Sequence, residues 1–277
     1  MTRSPSKWRV AVLVTLAIVA FAGNSLLARA ALKGDLIGPG TFTAIRLAAG
    51  AAILLPFFRF RSRPQINWRG SVALVVYAVG FGFAYIGLGT ATGALILFAA
   101  VQATILAAGA LGGDRPRVID LTGIGCALAG VLVLVGGDVA PGPPWAMASM
   151  IVAGIAWGLY SLMGRASSDP VGLTAKNFLL SALLCAPLPL LETNVPATGT
   201  GIGLAVLSGA FASGLGYAIW YKAVPQLPHA SVGAVQLATP VVAALAAFPL
   251  LAEPLTPRLA AAALLILGGI AATLRKK

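Results

Sequence analysis

Apolar residues run along this chain in blocks of about twenty, separated by breaks of Gly, Pro and charged residues that are mostly under ten residues long. A helix rises about 1.5 Å per residue, so about 20 apolar residues are needed to cross roughly 30 Å of hydrocarbon. Divided on that length, the pattern predicts an all-α membrane protein of ten spans, near residues 8–30, 39–58, 68–89, 91–112, 117–136, 144–165, 171–191, 201–223, 229–250 and 256–274. No break is long enough to hold a soluble core, so one membrane domain fills the chain.

Composition agrees: 59% of the 277 residues are hydrophobic and 9% charged, against about 25% charged in a soluble domain. The formal charge of +12 would suit a nucleic-acid binder only if the basic residues shared a solvated face. Here they sit between apolar blocks, so the expected surroundings are a lipid bilayer and no nucleic acid. With both termini cytoplasmic, the inner segments hold Arg3, Lys7, Arg9, Arg59, Arg61, Arg63, Arg69, Arg115, Arg117, Arg165, Lys176, Lys222, Arg275, Lys276 and Lys277, fifteen of nineteen basic residues. The outer segments hold Arg29, Lys33 and Arg258 beside Asp35, Asp138, Glu192 and Glu253. This asymmetry follows the positive-inside rule and predicts a multi-pass protein of the inner (plasma) membrane.

The two halves resemble each other. Residues 20–30 (AFAGNSLLARA) align with 156–166 (AWGLYSLMGRA) at five identities in eleven, pairing Arg29 with Arg165. GFGFA at 80–84 matches GLGYA at 214–218, Pro56 matches Pro187, and one offset pairs Asp114 with Glu253 and Gly130 with Gly269. The unit is five helices long, residues 1–140 and 141–277. Because five is odd, the second copy enters the membrane from the opposite side, the inverted-repeat plan of many secondary transporters. The repeat also bears on the N-terminus. Arg3, Lys7 and Arg9 ahead of an apolar run ending Ala28-Arg29-Ala30 suggest a signal peptide, yet the same pattern recurs mid-chain at Gly164-Arg165-Ala166, so it reads as a first span.

The doubled five-helix unit, Arg46 in the second span and the segment QLATPVVAALAAFPLLAEPLTPRLAAAALLILGGI at 236–270 resemble the drug/metabolite transporter superfamily, EamA type, which includes bacterial exporters of amino acids and related metabolites. The first copy departs from the pattern, with Gly113-Asp114-Arg115-Pro116 where such families often show Glu, and Val101 opposite Pro240. The resemblance implies export of amino acids, aromatic and neutral ones among them, or of similar small metabolites by alternating access through a central cavity.

In hydrocarbon, intramembrane polar side chains are expected to face the bundle interior. The candidate substrate-binding residues are therefore Phe21, Asn24 and Ser25 in the first span and their counterparts Trp157, Tyr160 and Ser161 in the sixth. Tyr77, Phe81 and Tyr85 in the third, Phe98 and Gln102 in the fourth, Tyr217 in the eighth, and Gln236 and Thr239 in the ninth complete the set. Tyr77, Tyr85, Trp220 and Tyr221 fit a lipid-facing or interfacial position equally well. Gly80, Gly82, Gly214 and Gly216 read as close-packing sites. Arg46 is expected to pair with backbone carbonyls, and His229 to sit at a helix start.

No Asp or Glu falls in the middle of a span, which argues against carboxylate-based proton coupling and against a cationic drug, whose dry site would want a carboxylate or a dense aromatic cage. A net-neutral solute fits better, its charges met by Asn24, Ser25, Gln236 and helix-end dipoles. Cys126 and Cys185 lie inside apolar runs without CxxC spacing, so no cofactor or metal is expected. An enzyme would need a clustered acid, base or metal set, which one His does not supply. An importer, or a proton-coupled drug or nucleoside exporter of the same fold, shares these features. The symmetry is internal, so no oligomer is required.

Overall fold

The computed structural model describes residues 7–58, 68–113, 117–135, 142–192, 195–227, 229–252 and 257–274, and among them every regular element is a helix. The elements are α1 (Lys7–Lys33), α2 (Pro39–Leu54), α3 (Trp68–Gly87), α4 (Thr90–Leu111), α5 (Val118–Val135), α6 (Pro144–Arg165), α7 (Pro170–Cys185), α8 (Gly199–Leu207), α9 (Gly216–Ala223), α10 (His229–Gln236), α11 (Thr239–Leu251) and α12 (Pro257–Leu274). Among the described residues, seven stretches are long and apolar enough to cross a bilayer: Trp8–Lys33, Pro39–Phe57, Trp68–Gly87, Thr90–Leu111, Pro144–Arg165, Pro170–Leu191 and Gly199–Gln226. The basic clusters at 59–63 and 275–277, with Asp114, Asp138 and Glu253, lie outside the described residues, as does the side chain of His229.

Local chemistry explains the boundaries. Pro39, Pro144 and Pro170 open their helices at the position where a missing N–H does no harm. Asp169 caps α7 by accepting from the Gly172 amide at 3.1 Å, and Thr198 caps α8 by accepting from Gly201 at 3.1 Å. The second and seventh helical stretches both finish in a 3₁₀ turn carrying proline, Leu55–Phe57 and Leu188–Leu191.

Two expected straight helices are not regular. The stretch predicted as one helix over 229–250 breaks between Gln236 and Thr239, because Pro240 has no amide and its ring would meet the Gln236 carbonyl four residues back. Val101, at the corresponding place in the first half, leaves α4 unbroken. Within Gly199–Gln226, residues Ser208–Leu215 wind as a π-helix between α8 and α9.

Packing is by small residues, as the glycine pattern predicts. A Cβ on Gly80 would come within 2.9 Å of the Ser149 carbonyl oxygen, so α3 and α6 lie backbone to backbone. Further contacts join α4 to α6, α5 to α12, α2 to α7, the π segment to α2, α1 to α9 and α11, and α4 to α11. Large apolar side chains such as Leu16, Val72, Leu183 and Phe248 stand on the outside, the arrangement lipid requires.

Glu192 joins the two halves at one end of the bundle. Its carboxylate accepts from the amides of Gly40 at 2.6 Å and Thr41 at 2.9 Å and from the Thr41 hydroxyl at 2.8 Å, at the positive end of α2. Glu192→Ala is expected to destabilise the folded protein by about 1–3 kcal/mol, the range for stranding donors of a charge-assisted cap, with Glu192→Gln losing less. Thermal unfolding of the detergent-solubilised variants checks this, and an unchanged midpoint for the alanine variant contradicts it.

Candidate functional site

α1, α3, α4 and α6 converge on a cavity lined by Phe21, Asn24, Tyr77, Phe81, Leu97, Phe98 and Trp157. Its free volume is about 10 Å³, roughly what one water needs. The rings close it themselves. Trp157 lies 5.2 Å from Tyr77, 5.6 Å from Phe21, 5.7 Å from Tyr160 and 4.5 Å from Tyr217, centroid to centroid. Phe21 also meets Phe98 at 6.3 Å and Trp220 at 5.6 Å. These separations suit offset and edge-on aromatic pairs.

Two polar constellations flank the rings. In the first, the Trp157 indole N–H donates to Gln236 Oε1 at 2.9 Å, while the Gln236 amide donates to the Val232 carbonyl at 3.0 Å. Gln236 thus sits at the break between α10 and α11 with both ends of its side chain engaged. In the second, Asn24 donates to the Tyr77 hydroxyl at 3.1 Å and accepts from Ser208 at 2.6 Å. Arg46, 1% exposed, donates through Nε to Ser213 Oγ at 3.0 Å and through one terminal nitrogen to the hydroxyls of Tyr77 at 3.0 Å and Tyr217 at 3.3 Å. Its guanidinium lies 5.1 Å from the Tyr77 ring centre and 4.7 Å from that of Phe81, in cation–π range.

All fourteen sequence candidates are buried, but they do not form one wall. Phe21, Asn24, Tyr77, Phe81, Phe98 and Trp157 line the cavity, and Tyr160, Tyr217 and Gln236 contact Trp157. Tyr85 packs on Phe81 at 4.8 Å, one turn further along α3. Ser25, Gln102, Ser161 and Thr239 are outside the cavity lining, with Gln102 set against Gly233 on α10. The lipid-facing alternative fails for Tyr77, Tyr85, Trp220 and Tyr221, each at most 4% exposed.

Arg46 also differs from expectation. Its partners are hydroxyls and aromatic faces, because the small residues of the π segment bring Ser213 and Tyr217 close to α2 instead of offering carbonyls. Sequence reading missed Arg46, Ser208 and Ser213 as members of the site. Serines five residues apart lie about 140° apart on an ordinary helix. The π turn closes at five residues and puts both on one face, so a search at helical spacing could not find them.

A wider groove of about 740 Å³ lies between α3 and α6, outside the core. Its walls include Val72, Val152, Ile155 and Leu159, each more than 40% exposed. It offers a solute almost no polar partner, and its position matches the lipid-exposed surface.

Comparison with known proteins supplies the context. A family model described as the EamA-like transporter family matches residues 144–275. An uncharacterized protein of Pseudomonas aeruginosa is 48% identical over 95% of this chain and 93% of its own length. The threonine/homoserine exporter RhtA of Escherichia coli is 28% identical over 90% of this chain and 86% of its own. One solved crystal structure superposes with a TM-score of 0.79 at 23% identity, covering 97% of both chains, which extends the likeness in fold over nearly the whole molecule.

Proposed function

The chain belongs to the EamA-like transporter family of multi-pass inner-membrane transporters, and from that premise we propose that it exports amino acids, or similar small metabolites, by alternating access through the Asn24–Trp157–Gln236 core. The observation that carries the reading is that this core is buried, polar as well as aromatic, and bridged across the two halves of the chain. Asn24 bonds Ser208, Arg46 bonds Ser213, and Trp157 from α6 packs at a tilt against Tyr77 from α3. A route through such a core opens by moving one half against the other. Closed to about 10 Å³, it passes no solute until it does.

The ten-span, two-repeat architecture, with halves at 1–140 and 141–277 and cytoplasmic termini, belongs to this proposal. Its support is that the helix contacts map onto one another when the halves are exchanged. Contact of α3 with α6 becomes contact of α9 with α1, α4 with α6 becomes α11 with α1, and α2 with α7 and α5 with α12 map onto themselves. The aligned arginines behave alike too. Arg29 donates to the Tyr85 carbonyl at 3.0 Å, and Arg165 to the Leu227 carbonyl at 3.3 Å, each at the end of the third helix of its half.

The substrate class comes from the likeness to a threonine/homoserine exporter. Purified protein in proteoliposomes, loaded with a panel of amino acids and nucleosides and assayed with and without a pH gradient, is expected to release at least one amino acid at a rate the gradient does not set. Release of no amino acid overturns the reading.

A further inference from the structure

The Arg46 guanidinium is a permanent cation, buried in the bundle with no counter-ion among the described residues. Its described partners are all neutral: Ser213, Tyr77, Tyr217 and the ring of Phe81. The NH1 nitrogen, fully enclosed, has no hydrogen-bond partner among the described residues. Among the described residues, no acid pairs with the guanidinium. Glu192 is spent on the α2 amides and Asp169 on the α7 cap. Burying an uncompensated charge costs several kcal/mol, and hydrocarbon around the bundle offers it nothing.

The surrounding groups are arranged for an anion. Arginine presents a planar fork that matches a carboxylate through two parallel hydrogen bonds. Nε and NH2 are held by hydroxyls, which rotate at little cost, and NH1 keeps both its protons free. The Tyr77 hydroxyl accepts from both Asn24 and Arg46 and also pairs with the Tyr217 hydroxyl, so it is already engaged and the free protons are those on NH1. Tyr77, Phe81 and Asn24, all in direct contact with or one bond from this cation, are also walls of the cavity.

We infer that Arg46 anchors the carboxylate of the transported solute through NH1; this rests on the export reading above, and adds that the carboxylate is obligatory whereas the amine is not. It reverses the expectation that neutral hydrogen bonds and helix dipoles alone would hold a zwitterion. Since no side-chain acid faces the guanidinium among the described residues, an ammonium group meets only ring faces and amides, and removing it leaves the anchor intact.

The test uses the full-length protein in detergent, following quenching of intrinsic tryptophan fluorescence on titration with L-threonine, L-homoserine and L-phenylalanine, their carboxamides, and 3-phenylpropionate. Efflux of the same compounds from proteoliposomes is measured in parallel. At least one acid is expected to bind at least tenfold more tightly than its amide, with 3-phenylpropionate binding no more weakly than phenylalanine. Arg46→Lys should keep part of that acid-over-amide preference and Arg46→Gln should lose it. Equal binding of acids and amides, or no binding of any acid, overturns the inference, and so does an Arg46→Gln protein that retains the preference. The comparison within the wild-type protein needs no variant to fold. Acid-selective binding without efflux leaves the anchor standing and sinks export, whereas efflux of acids and amides alike does the opposite.

Discussion

Trp157→Ala is expected to reduce export at least tenfold and to destabilise the protein by about 3 kcal/mol or more, the range for emptying a buried aromatic site. Four rings, those of Phe21, Tyr77, Tyr160 and Tyr217, lose their shared neighbour. Gln236 Oε1 loses the indole donor it has among the described residues, a further penalty of about 1–3 kcal/mol if it stays dry. Trp157→Phe helps to separate the two effects, since it keeps one aromatic ring while removing the N–H and part of the indole's volume. Leu159→Ala, two residues along α6 on the groove facing outward, serves as the control and is expected to change little. Efflux normalised to protein inserted, with thermal unfolding alongside, measures both quantities. Wild-type efflux from Trp157→Ala would remove the aromatic core from the transport path.

Asn24→Asp is expected to do something less common: raise thermal stability while abolishing transport. Asn24 and Arg46 both lie within 3.1 Å of the Tyr77 hydroxyl oxygen, so an aspartate there stands about 6 Å or less from the uncompensated guanidinium. Removing an unpaired buried charge by giving it a partner is worth more than the neutral hydrogen bond it replaces. The Ser208 hydroxyl can donate to the new carboxylate. The same internal carboxylate competes with that of the solute for Arg46, and it is always present. An unfolding midpoint raised by several degrees together with at least a tenfold loss of efflux is the expected pair of results. A destabilised Asn24→Asp protein contradicts the electrostatic account of Arg46, and a stable one that transports normally contradicts its role as anchor.

How far these residues could be read from sequence depended on the kind of signal. The boundaries at 39, 68 and 144, and that at 170 to within one residue, were legible because a proline or a change of hydropathy acts on the backbone locally. Pro240 was legible as a departure between the halves, though its effect, ending α10 at Gln236 beside Trp157, needed the fold. Phe21, Asn24, Tyr77 and Trp157 were found because a polar or aromatic residue inside an apolar run is conspicuous. Ser25, Gln102, Ser161 and Thr239 look equally conspicuous, yet they lie outside the cavity lining.

The sequence by itself determined the solvent of this protein, where several of its helices begin, the likeness of its two halves, and the presence of one arginine inside an apolar span. Only the tertiary structure decided which faces turn inward, because in lipid the exterior is as apolar as the core and periodicity no longer separates them. It also decided that Ser208 and Ser213 share a face, through a π turn, and that Arg46 meets hydroxyls and rings instead of carbonyls or acids. Hydropathy is a property of each segment, whereas a charge's compensation depends on what α3, the π segment and α9 bring to it. The cation that looked like a structural oddity in the second span is, once folded, the strongest demand the core makes on its solute.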